Sequence, residues 1–268
     1  MADEPVRVER DGPLCWLVLD RPSRGNALND EVFDTIDATL LELSTDREIK
    51  VLIIRGEGKG FCSGHDLGGQ RGEMNDVASV IGHMKRSFDT FRRIWEFPKP
   101  VIASVHGYCV GAATQLVAAC DLVVVASDAE IGLPKLPMGA GLTPPMLAQT
   151  IGVRRAKLMA FDIGSTMDGQ TAVDWGWANM SVDSDKLIDE VTALATRIAR
   201  APLEVLSGQK STLNRVAELQ GFWSIATMGI EMDALHVFAK TATPTGKAIQ
   251  EFGVKGAVER FNQGLLGL

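Results

Sequence analysis

The sequence has no excess of positive charge: 27 Lys and Arg stand against 34 Asp and Glu, a formal net charge of −7. That balance argues against a general nucleic-acid binder, although a few local Lys or Arg residues can still hold an anionic ligand. No apolar run reaches membrane-spanning length. The richest stretch, 101–126, is interrupted by His106, Gln115 and Asp121. The opening residues Met1-Ala2-Asp3-Glu4 are acidic and lack an apolar core, so no signal peptide and a cytoplasmic location are expected. Paired cysteine spacing is missing too. Cys15, Cys62, Cys109 and Cys120 fall in or near apolar segments and read as buried thiols of a reducing compartment. Repeats and low-complexity tracts are also lacking. What remains is ordinary globular material: 268 residues, 46% hydrophobic and 23% charged, enough for a sizeable core in one or two domains.

The pattern of apolar residues predicts strands at 6–9 and 14–20, joined by a turn at Asp11-Gly12-Pro13. Asn29 is placed to cap a helix whose buried stripe is Val32, Phe33, Ile36, Leu40 and Leu43. Buried strands are expected at 51–54, 101–105 and 122–125, with helices at 77–95 and about 111–119. Pro98 and Pro100 stop the first of these helices. Strand and helix thus alternate, which argues for an α/β fold with parallel strand pairs. From about Pro144 the chain is expected to be mainly helical, with helices at 185–200, 202–219, 222–240 and 243–252. The Pro-Gly-Thr cluster at 140–145 is a possible boundary, and the Met and aromatic stripe of 222–238 suits core or subunit contact.

Two segments are suited to chemistry. Gly60-Phe61-Cys62-Ser63-Gly64-His65-Asp66-Leu67 follows a strand, and its glycines permit a tight turn that exposes backbone N–H groups. Gly107-Tyr108-Cys109-Val110-Gly111-Ala112-Ala113-Thr114-Gln115 follows another strand and opens a helix. Taken singly, each also suits a plain connection or close helix–sheet packing. If the strands pair in parallel, both loops emerge at one edge, and one N–H from each makes an oxyanion hole. Other chemistries find little support. Cys62 and His65 have no second ligand pair for zinc, so no metal is expected. Gly56 to Gly60 lacks the Gly-Lys-Ser/Thr ending of a phosphate loop, and no Gly-x-Gly-x-x-Gly opens a helix. Ser63 lies near His65, but without a Gly-x-Ser-x-Gly elbow.

In order along nearly the whole chain, these segments resemble the enoyl-CoA hydratase/isomerase (crotonase) superfamily. The likeness runs from Asp20-Arg21-Pro22 and Asn26-Ala27-Leu28 through 51–55, 61–67, Lys99 to Ala103, and 107–121. It continues at Ile131-Gly132-Leu133-Pro134, then Gly152, Ala172 and Gly176. The resemblance implies a crotonase-like spiral of ββα units at 1–200 and a helical C-terminal region at 201–268 that makes homotrimer or dimer-of-trimers contacts. It implies an acyl-CoA or enoyl-CoA ligand and no cofactor beyond its CoA moiety. The thioester oxygen would accept from the N–H groups of Ser63 and Ala112 and the developing enolate would be stabilised there. Arg24 would contact CoA phosphates, while Leu28, Asp66 and Leu67 would line the CoA channel. Asp66 also suits a purely local role in its own turn.

The same comparison exposes two departures. Hydratases of the family use two carboxylates, and the matching positions here are Gln115 and Lys135. An amide does not exchange protons at a useful pKa, and a lysine is ordinarily already protonated. The remaining candidates for proton transfer are His65, His83, Asp66 and Glu130. Two expectations follow: an acyl-CoA enzyme with non-standard acid/base residues, or a non-catalytic acyl-CoA binding or carrier protein on the same scaffold.

Overall fold

A computed structural model describes residues 5–67, 76–138, 143–237 and 242–266. The elements in chain order are β1 (Val6–Asp11), β2 (Leu14–Leu19), α1 (Asp30–Thr45), β3 (Val51–Gly56), α2 (Val77–Glu96), β4 (Val101–Val105), β5 (Tyr108–Val110) and α3 (Ala112–Ala118). They continue with β6 (Leu122–Ala126), β7 (Glu130–Gly132), α4 (Thr143–Ile151), α5 (Val153–Phe161), β8 (Thr166–Met167), α6 (Gly169–Trp175) and β9 (Met180–Val182). The last four are α7 (Leu187–Ile198), α8 (Leu203–Leu219), α9 (Phe222–Val237) and α10 (Ala242–Asn262).

The apolar strands do what their composition requires. Strands β2 and β4 are buried along their whole length, as expected of strands covered on both faces. They belong to a six-stranded sheet of order β1-β2-β3-β4-β6-β9, in which only the β1–β2 hairpin is antiparallel. The edge strand β1 turns charged residues outward, and Arg7 pairs with Glu9, Asp20 and Glu57. A smaller sheet, β5-β7-β8, lies beside the site loops. The expected stripe of α1 is buried, and Asn29 Oδ1 accepts from Val32 N at 3.0 Å. Helix α2 starts with a reciprocal cap between Asp76 and Ser79.

The second half is less purely helical than its sequence suggests. Strands β8 and β9 have two and three residues, too short for alternation to stand out. Of the cluster at 140–145, Thr143, Pro144 and Pro145 form the first turn of α4, where a missing N–H costs nothing. Residues 139–142 lie outside the described ones. The final helix runs on to Asn262, broken by Gly253 at φ 69°.

Polar ties dock α8 against the end of α2 and the connections that enter β4 and β6. Lys210 Nζ donates to Asp121 Oδ2 at 2.7 Å and to the Ile94 and Lys99 carbonyls, while Asn214 Nδ2 donates to Trp95 O. The four cysteines are free thiols and all buried. No helix of the described residues is long and apolar enough to cross a membrane.

Candidate active site

The site begins with two loops that leave the carboxyl ends of β3 and β4. Gly107, at φ 59°, lets them touch: a Cβ there would lie 2.0 Å from Lys59 O. The loops are then zipped together. Phe61 N donates to His106 O, Cys62 N to Tyr108 O, and Val110 N to Cys62 O, a parallel bridge between Cys62 and Cys109. Asn26 clamps a third loop to them from a buried left-handed position, φ 54°. Its Nδ2 donates to the Glu57 and Gly60 carbonyls at 2.8 Å, and its Oδ1 accepts from Arg21 N.

The hydrogen bonds decide which amides are spent. Ser63 N–H, expected to face the ligand, instead donates to Gly25 O at 3.0 Å. Gly64 N–H points to Cys62 Sγ at 3.3 Å. Leu28 N donates to Gly64 O and Asp66 N to Leu28 O, so His65 is the residue bridged to Leu28. In a parallel bridge of this kind the amides of the flanking residue and the partner carry the bonds, and the N–H of the bridged residue turns the other way. His65 N–H therefore points away from Leu28. Gly64, at φ 93°, abuts the start of α3: a Cβ on it would lie 2.7 Å from Val110 O and 3.2 Å from Ala112 N. Ala112 is the first residue of α3, so its N–H has no acceptor within the helix.

The side chains are arranged as follows. The His65 ring is half-buried, 6.2 Å from the Phe33 ring and 6.1 Å from that of His83 on α2. Arg24 is exposed at the end of the short turn Pro22–Arg24. The side chain of Leu28 is in the core, and what Leu28 presents to the loop is its backbone. Asp66 Oδ2 accepts from Arg21 Nη2 at 2.9 Å, which ties its loop to the turn at 21–26 rather than bracing its own. Leu67 is half-buried. Gln115 is 5% exposed; its Nε2 donates to Thr143 Oγ1 at 2.6 Å, and its Oε1 has no hydrogen-bond partner.

Lys135 is exposed and pairs with the exposed Glu130 at 3.0 Å, so both point to solvent. Burial pushes the Cys62 thiol up to about 12, so it stays protonated at neutral pH and is no nucleophile. No cluster of three His, Cys, Asp or Glu among the described residues suits a metal ion. Sequence reasoning missed the roles of Arg21 and Thr143, and it saw Asn26 only as part of a motif. A buried Asn able to adopt positive φ was the one available signal.

The family model for enoyl-CoA hydratase/isomerase matches residues 9–257, and the chain belongs to that family. It is 30% identical over 256 residues to a 2,3-dehydroadipyl-CoA hydratase of Escherichia coli, covering 90% of this chain and 97% of that one. It is 31% identical over 208 residues to a 1,2-epoxyphenylacetyl-CoA isomerase of the same organism, covering 75% and 78%. Among solved structures, an enoyl-CoA hydratase/isomerase from Xanthobacter autotrophicus Py2 superposes with a TM-score of 0.91 at 28% identity, covering 97% and 98%. The crotonase-type mixed α/β fold expected from the sequence is the fold observed.

Proposed function

We propose that this protein binds an acyl-CoA thioester and stabilises its enolate with two backbone amides, those of His65 and Ala112. One observation carries the reading: the loop hydrogen bonds spend the Ser63 and Gly64 amides and turn that of His65 away from Leu28, beside the start of α3. The amide at 65 thus takes the place expected for that at 63. When a base removes a proton next to the thioester, the electron pair moves onto the carbonyl oxygen. Two fixed donors there need no reorganisation as the charge develops.

Gln115 and Lys135 stand where hydratases of the family carry carboxylates. The neutral amide of Gln115 is buried, and Lys135 is at the surface. The imidazoles at the donor loop are those of His65 and His83, with ring centroids 6.1 Å apart. They are the proposed proton-transfer pair. Arg24 is the proposed contact for CoA phosphates. The exposed apolar residues of α8 and α9, including Leu213, Met228 and Leu235, support assembly as a homotrimer or a dimer of trimers.

The test is incubation with saturated and enoyl-CoAs in D2O, followed by mass spectrometry. Deuterium uptake next to the thioester, abolished by His65→Ala or His83→Ala, is the expected result. An addition of one water would show hydration, and free CoA would show hydrolysis. Retention of acyl-CoA without any chemical change would convert the reading to that of a binding or carrier protein.

A further inference from the structure

Helix α2 is held unevenly along its length. Of its seven buried residues, six fall at 87–95, and only Val80 is buried in the half that carries His83. Arg86, one turn beyond His83, lies where the two halves meet. Its guanidinium ties α2 to α1. Nη2 donates to Asp34 Oδ1 at 2.6 Å, and Nη1 donates to Asp37 Oδ2 and to Thr90 Oγ1, both at 2.9 Å. The same cation sits over the Phe33 ring of α1, 5.7 Å from its centroid. Phe33 in turn meets the Phe91 ring of α2 at 6.0 Å and the His65 ring at 6.2 Å, both edge to face. A planar group with five donors suits this arrangement, whereas a lysine offers one compact charge.

We infer that Arg86 is a positioning residue for the site. It holds Phe33 against the His65 ring and the His83 end of α2 against α1, and so sets the 6.1 Å between the two imidazoles. The packing separates this role from stability. The buried residues at 87–95 anchor α2 without Arg86, and Asp37 keeps a second tie to Arg93 at 2.8 Å. Asp34 is exposed, so water solvates it when its partner is removed. Proton transfer, by contrast, is sensitive to a misplacement of about 1 Å. Arg86 itself transfers no proton, because a guanidinium stays charged throughout the working range. The inference rests on the reading of His65 and His83 as the proton-transfer pair.

Deuterium uptake by butyryl-CoA tests the role in Arg86→Met and Phe33→Leu. Each variant is expected to lower kcat about tenfold or more while KM changes by less than about twofold. The urea midpoint of Arg86→Met is expected to stay near that of the wild type. Because both residues act through one ring, the double variant is expected to be no slower than the slower single one. Arg86→Lys is expected to keep part of the rate. The chain has four histidines, so His106 and His236 serve as controls in NMR spectra of the imidazoles. Arg86→Met is expected to weaken the contact between the His65 and His83 rings and leave the other two signals in place. Unchanged His65 and His83 spectra, a wild-type rate in Arg86→Met, or losses that multiply in the double variant each overturn this inference and leave the proton-transfer reading standing. A wild-type protein that exchanges no deuterium overturns that reading and this role with it. If Arg86→Met fails to fold, Arg86→Lys and Phe33→Leu carry the same comparison.

Discussion

The sheet half and the C-terminal helices of this protein are built on opposite terms. Every residue of β2 and β4 is buried, whereas Lys210 is the single buried residue among the 17 of α8. The sheet is closed by apolar packing on both faces. Helix α8 is held by side-chain ties from Lys210, Ser207 and Asn214, and it leaves Leu213 and Leu219 to solvent, the latter 82% exposed. Helix α9 is intermediate: Phe222 stacks on Trp95 at 4.7 Å, yet Met228 and Leu235 face outward. The last helix packs with Leu136 in a small cluster of its own. Tight apolar closure is what lets the loops at the sheet edge hold backbone amides in place. An outward apolar surface suits a partner and contributes little to the isolated chain.

Glycines give the sharpest way to break the comparison. Gly107 has no room for a Cβ, which would meet the backbone of Lys59 and Gly60, and its φ is left-handed besides. Gly107→Ala is expected to cost about 4 kcal/mol or more, read as a collapse of soluble yield or of the urea midpoint. The next effect falls on the tie between the halves. Lys210→Met strands Asp121, whose carboxyl is already held above the usual range by burial. A loss of about 3 kcal/mol is expected, with part of it recovered by adding Asp121→Asn. Equal stability of the single and double variants would deny that the stranded charge is the cause.

Smaller and opposite in sign is Gly208→Ala in α8, where a Cβ would meet nothing within 4 Å. It is expected to stabilise by about 0.5–1 kcal/mol through helix propensity and a less flexible unfolded chain. Alanine thus helps in one half and ruins the other. The mildest test is alkaline pH. All four cysteines precede residue 121, and burial raises Cys15 to about 11 and Cys62 to about 12 from an ordinary 9.0. A folded state that keeps its protons longer has this contribution intact below pH 9 and loses it as pH rises through 11 to 12. Denaturation midpoints are expected to fall across that window, less steeply in Cys15→Ala. An unchanged slope in that variant would place the alkaline loss elsewhere.

Much of the fold was legible because its signals are local. The buried stripe of α1, its Asn29 cap, the apolar runs of β2, β3, β4 and β6, and the proline stop after α2 each rest on residues within a few positions of one another. Strands β5, β7, β8 and β9 were not legible, because two or three residues carry no usable period. Near the candidate site, the sequence picked out two glycine-bearing loops that the structure zips together. It misjudged the amide at Ser63, because the acceptor, Gly25 O, comes from a loop nearly forty residues earlier.

The sequence by itself determined the α/β alternation, the buried thiols and the two loops whose glycines permit close approach. Periodicity, capping and φ preference act between chain neighbours, so they can be read along the chain. Only the tertiary structure decided that Asn26 clamps the loop at Glu57 and Gly60, that Gln115 leans on Thr143, and that Lys135 turns outward to Glu130. A hydrogen bond has one donor and one acceptor, and which of them are spent depends on where distant segments come to rest.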